Sequence, residues 1–345
     1  MSNLCVVMVK PKVFNTEIRE IPEIGNNDIL VKVEYCGICG SDVHLFQTGK
    51  QGENIATKPM VLGHECAGIV MDMGQNTKNI NVGDRVAIEP GIVCGICSFC
   101  KSGNYNLCPN MVFPSTPPYD GFFMQFIKVT SNMVHKLPER ISTKVGTLLE
   151  PLACALNATR QGDVELGKSV VVIGAGTIGL LTMLACKARG ATEIYITDVL
   201  QSKLDFAKQK GATNVINIKE LNPTDEIMRL TDNVGVDIVI DCSGTQTGMK
   251  STVDLVKNGG TIVLMGMPPQ DYTELNFTKL IWKEATIKTS FRYRNRHSVA
   301  IKAISSGLID IEGVITQEFQ LENLQTAFEY VIENQEKVIK AIVKM

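Results

Sequence analysis

The sequence has almost no net charge: 34 lysines and arginines stand against 36 aspartates and glutamates, a net of −2. A chain without a basic excess has no electrostatic footprint for nucleic acid. Nowhere is an apolar run long enough to cross a bilayer, so no membrane partner is expected. The first ten residues are apolar but lack a small-residue cleavage pattern, so no secretory signal is expected. Internal repeats and low-complexity tracts are missing too. The eleven cysteines are an odd number, which argues against a disulfide framework and for a reducing, cytoplasmic setting. Some of these thiols are then available to metal, and the rest are small buried residues. A length of 345 residues leaves room for two domains, each with its own core.

What is present begins with short β-branched runs. Cys5–Val9, Ile29–Tyr35, Gly68–Met71, Asp84–Ile88 and Phe126–Val129 are separated by Gly, Asn, Asp and Pro. This pattern predicts a β-barrel with long loops over roughly the first 150 residues. Within it lie Cys39 and the triplet Gly63-His64-Glu65. A thiol, an imidazole and a carboxylate are all zinc donors, and three protein ligands with an open fourth position make a catalytic site. Histidine beside glutamate also occurs by chance, so the triplet alone is a weak signal. The proposed cluster of Cys39, His64 and Glu65 is placed on the barrel's loops.

Cys94, Cys97, Cys100 and Cys108 follow with the spacing C-x2-C-x2-C-x7-C. Four thiolates at this spacing close a tetrahedral zinc site, which is structural because no position is left for substrate. An iron–sulfur cluster is the chemical competitor. A zinc-ribbon nucleic-acid module is the functional one, but the flanks are not basic. The proline-rich stretch 114–121 is expected to line a cleft or cover a lobe. Glu150-Pro151-Leu152 opens an apolar segment, Ala153–Thr159, expected to be helical, and Pro151 is suited to a first helical position.

At Val170–Ile173 the pattern changes. An apolar strand runs into Gly174-Ala175-Gly176-Thr177-Ile178-Gly179, followed by a helix expected from Leu180 to Ala188. The glycines allow a tight turn and close approach to a pyrophosphate, which sits at the helix N-terminus. A second strand, Ile194–Asp198, ends in an acid about 20 residues on, where a ribose hydroxyl is read. Asp198 predicts NAD over NADP, because a carboxylate repels a 2′-phosphate. Strands and helices then alternate through Thr261–Met265, predicting a parallel, doubly wound sheet. Cys242 is read as a packed small residue. Phe291-Arg292-Tyr293-Arg294-Asn295-Arg296-His297 is a basic loop in which Arg294 and Arg296 are read as solvated. The tail predicts helices near Ser298–Ser305 and Leu321–Asn334, then a closing strand Lys340–Val343.

Together these residues resemble the zinc-containing medium-chain dehydrogenases, most closely the sorbitol (polyol) dehydrogenase branch. The likeness covers essentially the whole chain. It rests on Cys36–His44, Gly63-His64-Glu65, Gly83–Val86, the four-cysteine lobe, Glu150-Pro151-Leu152, the glycine turn with Asp198, and Phe291-Arg292-Tyr293. It implies an α/β protein with a GroES-like β-barrel catalytic domain (residues 1–154 and 292–345, structural zinc lobe 91–109). A doubly wound Rossmann domain (155–291) would bind NAD through Gly174, Gly176, Ile178, Gly179 and Asp198. The active site would lie in an interdomain cleft.

Two zinc ions per subunit follow from the resemblance. Cys39, His64 and Glu65 would hold the catalytic ion, with Glu150 binding it directly or through water. Cys94, Cys97, Cys100 and Cys108 would hold the structural one. Asp42 would fix the metal-binding tautomer of His64, Ser41 and His44 match a proton relay, and Arg292 and Tyr293 match residues that hold polyol hydroxyls. The implied reaction moves hydride from a secondary alcohol of a polyol to NAD, giving a ketose. Polyol-phosphate and threonine dehydrogenases are the alternatives within the enzyme class, and a non-catalytic nucleotide-binding protein is the alternative outside it. Leu45-Phe46 departs from the polyol pattern and is expected to reshape the pocket, and Arg294 and Arg296 would suit a phosphate. The family is oligomeric, so a homodimer or homotetramer is expected.

Overall fold

Asp28–Gly37 is the strand on which the first part of the chain is assembled. Ile29, Val31 and Val33 are fully buried while the residues between them face outward, the period of two that a strand with one core face requires. The computed structural model describes residues 2–268, 270 and 272–345. One edge of this strand pairs along its length with Glu65–Met73. The other edge is shared: Phe126–Thr130 pairs with its first half and the C-terminal strand Lys340–Lys344 with its last residues. Arg85–Ile88 and Val134–Lys136 extend the sheet beyond Glu65–Met73, and Ile315–Gln320 extends it beyond Lys340–Lys344. A smaller sheet of Ser2–Lys10, Val13–Glu20 and Met60–Val61 completes the β-structure here, beside the two-residue pair Lys50–Gln51 and Asn54–Ile55.

The chain divides into two units. One contains Met1–Glu150, His297–Ser305 and Glu312–Met345; the other contains Pro151–Arg296 and Ser306–Ile311. In the first unit the tail returns because its apolar face has a home. Phe328, on helix Leu324–Glu333, packs on Phe46 at 5.1 Å, Phe14 at 5.0 Å and Phe123 at 5.9 Å between ring centroids. Aromatic rings at these distances combine a large burial with favourable edge and offset contacts.

The second unit holds a six-stranded, wholly parallel sheet. Across it run Asn214–Asn217, Glu193–Asp198, Ser169–Ile173, Val236–Asp241, Val256–Leu264 and Thr286–Thr289. In chain order this is 3-2-1-4-5-6, the doubly wound arrangement, whose direction reverses between the first and fourth strands. Val170, Val171 and Val172 are all fully buried, as befits a central strand covered on both faces.

Several expectations shift. Strands Val13–Glu20 and Ile315–Gln320, helix Phe277–Lys283 and edge strand Thr286–Thr289 carry mixed polar sequences whose periodicity is masked by partial exposure. The first 150 residues are not all β: helix Gly40–Thr48 sits between strands. Leu45 and Phe46 of that helix are core residues, 1% and 2% exposed, and Phe46 stacks within the aromatic cluster. The helix after the glycine turn starts at Thr177, earlier than expected, with Gly179 inside it. The helix near residue 150 runs Leu149–Gln161, which puts Glu150 and Pro151 inside its first turn. Proline is tolerated there because the first N–H groups of a helix have no intrahelical acceptor.

Candidate metal and dinucleotide sites

Cys39, His64 and Glu65 offer one ligand atom each, all within 4.8 Å of one another. Their settings are more ordered than loops. Cys39 caps helix Gly40–Thr48, and Glu65 is the first residue of strand Glu65–Met73 and is 1% exposed. Gly37 pairs with Glu65 on one edge and with Ile342 on the other. A Cβ on Gly37 would lie 2.1 Å from Glu65 Oε2, so only glycine lets the carboxylate cross this strand. There Glu65 Oε2 meets Lys340 Nζ, which also donates to the Ile38 carbonyl at 2.9 Å. Glu65 Oε1 is buried and accepts no hydrogen bond. An orphaned carboxylate oxygen facing a thiol and an imidazole fits a cation.

Asp42 organises the site from behind. Its Oδ2 accepts from the Cys39 N–H at 3.1 Å, and its Oδ1 accepts from Ser115 Oγ at 2.6 Å and the Gly63 N–H at 3.2 Å. The same Oδ1 lies 3.3 Å from His64 Nδ1, which leaves Nε2 for a metal. Burial opposes the Asp42 charge, but His64 and these donors outweigh it and hold its carboxyl below the usual range. Burial likewise opposes charge on His64, and the negative charges of Asp42 and Cys39 raise it well above its ordinary value. For Lys340, burial is overcome by Glu65, Cys39 and Glu150, so it stays protonated. An excess of negative charge around one imidazole is what a bound cation would offset.

The four-cysteine lobe is built to tetrahedral dimensions. Cys94 Sγ lies 3.9 Å from Cys100 Sγ and 3.6 Å from Cys108 Sγ. Metal–sulfur bonds of about 2.3 Å require sulfur–sulfur edges of roughly 3.8 Å. Helix Ser98–Lys101 is capped by Cys97, whose sulfur accepts from the Cys100 N–H. Amide N–H groups of Ile96 and Cys97 lower Cys94 to about 6, whereas burial beside the other sulfurs pushes Cys100 up to about 12. Without an ion these thiols share protons; a divalent cation lets all four become thiolates.

The glycine turn meets three separate demands. Gly174 has φ +93° and faces Ser243, and a Cβ on Gly179 would fall 1.8 Å from the Gly174 carbonyl oxygen. A Cβ on Gly176 would meet nothing within 4 Å, leaving open space at the start of helix Thr177–Ala188, where a phosphate is favoured. Ile178 lies in that helix's first turn. Asp198 clamps the turn, accepting from the Ala175 N–H at 2.6 Å and the Leu200 N–H at 2.9 Å.

The chain is similar to known proteins along its whole length. Residues 25–139 match the family model "Alcohol dehydrogenase GroES-like domain", and residues 177–306 match "Zinc-binding dehydrogenase". Sorbitol dehydrogenase of Bacillus subtilis is 36% identical over 98% of this chain and 96% of its own length. Sorbitol dehydrogenase of Rattus norvegicus is 39% identical over 95% of this chain and 92% of its own. An Escherichia coli structure described as an oxidoreductase/dehydrogenase of unknown specificity superposes with a TM-score of 0.96 at 40% identity, covering 100% of this chain and 99% of that one. The chain belongs to the zinc-binding dehydrogenases.

In this dehydrogenase the remaining named residues fall as follows. Ser41 and His44 lie three apart on helix Gly40–Thr48 and so share a face. Glu150 is 6% exposed in the first turn of its helix. Arg292 holds φ +54°, and its guanidinium stacks on the Phe291 ring at 4.6 Å. Tyr293 is 2% exposed. Arg294 and Arg296 are half-buried and not solvated as expected; burial and the nearby Arg160 charge lower Arg294. Cys242 donates toward Thr182 Oγ1, and burial raises its thiol far above the usual range, consistent with a packed residue. All eleven cysteines are free of disulfides. Among the described residues no helix is long and apolar enough to cross a membrane.

Sequence reasoning missed three supporting residues of the dehydrogenase. Lys340 reads as part of a closing strand, Ser115 as part of a proline-rich loop, and Asn157 as one polar position of a helix. Asn157 Nδ2 donates to Ser290 Oγ at 3.2 Å and to the Arg292 carbonyl at 3.1 Å, holding the strained residue. Lysine in an otherwise apolar terminal strand was the one available signal, and it identifies no partner.

Proposed function

We propose that this chain is an NAD-dependent zinc polyol dehydrogenase that oxidises a secondary hydroxyl of a sorbitol-, xylitol- or iditol-like substrate to a ketose. The observation that carries this is the sulfur–nitrogen–oxygen donor set of Cys39, His64 and Glu65, with Glu65 Oε1 left without a hydrogen bond. These three hold the catalytic zinc, with the Glu150 carboxylate as a fourth ligand, direct or through water; Cys94, Cys97, Cys100 and Cys108 hold the structural one. When bound, zinc supplies Lewis acidity toward an alcohol and NAD supplies the hydride acceptor.

The chain's own residues do the rest. Asp42 orients His64 and keeps its metal-facing nitrogen unprotonated. Ser41 and His44 pass the alcohol proton toward solvent. Arg292 and Tyr293 hold further hydroxyls; a non-glycine residue held in the left-handed region is a strain commonly kept at functional sites. Gly174, Gly176, Ile178 and Gly179 cradle the pyrophosphate, and Asp198 receives the ribose hydroxyl. A small molecule is thus the substrate. The last sheet strand, Thr286–Thr289, is an edge, and Ile281 and Trp282 on the helix before it are exposed, which suits pairing with a second copy as dimer or tetramer.

One observation favours a phosphorylated polyol as the second reading. Arg160 Nε and Nη2 are buried without hydrogen-bond partners, and Arg294 lies close enough to feel that charge; paired guanidinium groups suit a phosphate. Turnover of free polyols, their phosphates and threonine, each with NAD and NADP, separates the readings. Oxidation of free polyols with NAD is the expected result. Preference for the phosphates would favour the second reading, and inactivity with both classes would refute the assignment.

A further inference from the structure

Away from the two cysteine-bearing sites, three more donors converge. Glu89 follows strand Arg85–Ile88, His135 lies on Val134–Lys136, and His297 opens helix His297–Ser305. The two strands are paired with His135 opposite Ala87, and the Glu89 N–H bonds to the Met133 carbonyl at 2.7 Å. This register brings His135 Nε2 within 2.7 Å of Glu89 Oε2. From the far end of the sequence His297 Nδ1 comes within 3.2 Å of the same oxygen. The two imidazoles stack, with centroids 5.1 Å apart and 13° between their planes. Tyr105 of the cysteine lobe gives its hydroxyl to Glu89 Oε1 and orients the carboxylate.

We propose that Glu89, His135 and His297 form a third metal site that takes a divalent transition ion such as zinc. One ligand atom from each lies within 4.8 Å of the other two. Two imidazoles and a carboxylate are a complete protein donor set for zinc, with water filling the last position. Ligands about 2.0–2.1 Å from a tetrahedral ion stand roughly 3.3 Å apart; His297 Nδ1 is already 3.2 Å from Glu89 Oε2, and the 2.7 Å His135 contact must open by about 0.6 Å. The ion would displace the imidazole proton now shared with Glu89. With no thiolate present, the site suits zinc, nickel or cobalt over soft monovalent copper. Access is from the His135 side, whose side chain is 25% exposed while His297 is fully buried. The ordered Tyr105 contact is the kind of outer hydrogen bond that metal-bound carboxylates carry.

A metal here would fasten the start of helix His297–Ser305 to the strand pair and, through Tyr105, to the cysteine lobe. It would stabilise this unit whatever the substrate.

The test is a Co(II) titration of full-length, chelator-stripped protein, comparing the natural chain with His135→Phe, which keeps a ring against His297. Cobalt at either cysteine-bearing site gives thiolate charge-transfer absorption; cobalt at the proposed site gives ligand-field bands alone. The natural protein should bind one more equivalent than the variant, with equal thiolate absorption in both. Because a difference is read, it holds even if Cys39, His64 and Glu65 bind no metal. The milder Glu89→Gln should weaken the same equivalent at least about tenfold. Equal stoichiometry and affinity in all three proteins, or loss of a thiolate-bearing equivalent in His135→Phe, would overturn the proposal.

Discussion

Lys340 and Glu65 form a buried ion pair, with side chains 2% and 1% exposed, across the glycine at position 37. The pair joins the last strand of the chain to the first residue of the strand that carries a proposed metal ligand. Removing one partner of such a pair leaves a buried charge uncompensated, at a cost of about 3–5 kcal/mol. Lys340→Met is therefore expected to lower unfolding stability by that order. Zinc should narrow the loss, since a cation on Glu65 replaces part of the missing charge. Denaturant midpoints with and without zinc measure both effects; an equal loss in each condition would argue against Glu65 as a ligand.

Gly37→Ala tests the same crossing by geometry. The new methyl would clash with Glu65 Oε2 and with Lys340 Cε, which lies 2.9 Å from its position. The expected result is a fall in kcat/KM of at least about tenfold, the scale of a disturbed metal shell. Elemental analysis should show one zinc lost and the lobe's zinc retained. Cys94→Ser should show the reverse, losing the lobe's zinc and thermal stability first. If both variants lose the same ion, the proposed division of roles fails.

Asp198 has one structural role and one proposed role, so its replacement has two expected signatures. In Asp198→Ala the Ala175 and Leu200 N–H groups lose their acceptor, and in the proposed binding mode so does the ribose hydroxyl. A hydrogen bond to a charged group contributes about 1.5–3 kcal/mol, so KM for NAD should rise roughly 10- to 100-fold. With the repelling carboxylate gone, NADP should suffer far less. Steady-state kinetics with both nucleotides decides this, and an unchanged NAD-to-NADP ratio would count against the assignment.

Asp237 predicts an acid limb in stability. Burial opposes its charge, but Lys257 at 2.7 Å and the Ser169 N–H and hydroxyl hold its pKa at about 2, below the ordinary 3.8. A depressed carboxyl stabilises the fold above the unfolded value. That contribution is lost as pH falls from 3.8 through about 2. Solvent screening keeps it to about 1 kcal/mol or less. Urea unfolding of Asp237→Asn should show a shallower loss of stability across this window than the natural protein does.

Local chemistry was legible without coordinates wherever it is periodic or closely spaced. The four cysteines fall within a stretch of 15 residues (94–108), so chain connectivity alone nearly brings their sulfurs together. The glycine turn is bounded by a continuous apolar strand, and its three glycines record steric limits that the structure repeats at Gly174 and Gly179. Alternating strands and helices imply a parallel sheet because each crossover must return along the same direction.

Only tertiary structure decided the long-range partners. Lys340, Ser115 and Asn157 owe their roles to neighbours distant in sequence, and no local pattern encodes which carboxylate or carbonyl a lysine or asparagine will meet. Phe46 turned out to belong to the core, where helix Leu324–Glu333 brings Phe328 against it, and Leu45 is buried in the same cluster. His297 reads in the sequence as the end of a basic loop; buried beside Glu89 and His135, it becomes part of a donor set. Spacing along the chain can show that a thiol or glycine is suited to its chemistry, but charge compensation in a buried site depends on strand register and packing, which form only when the whole chain has folded.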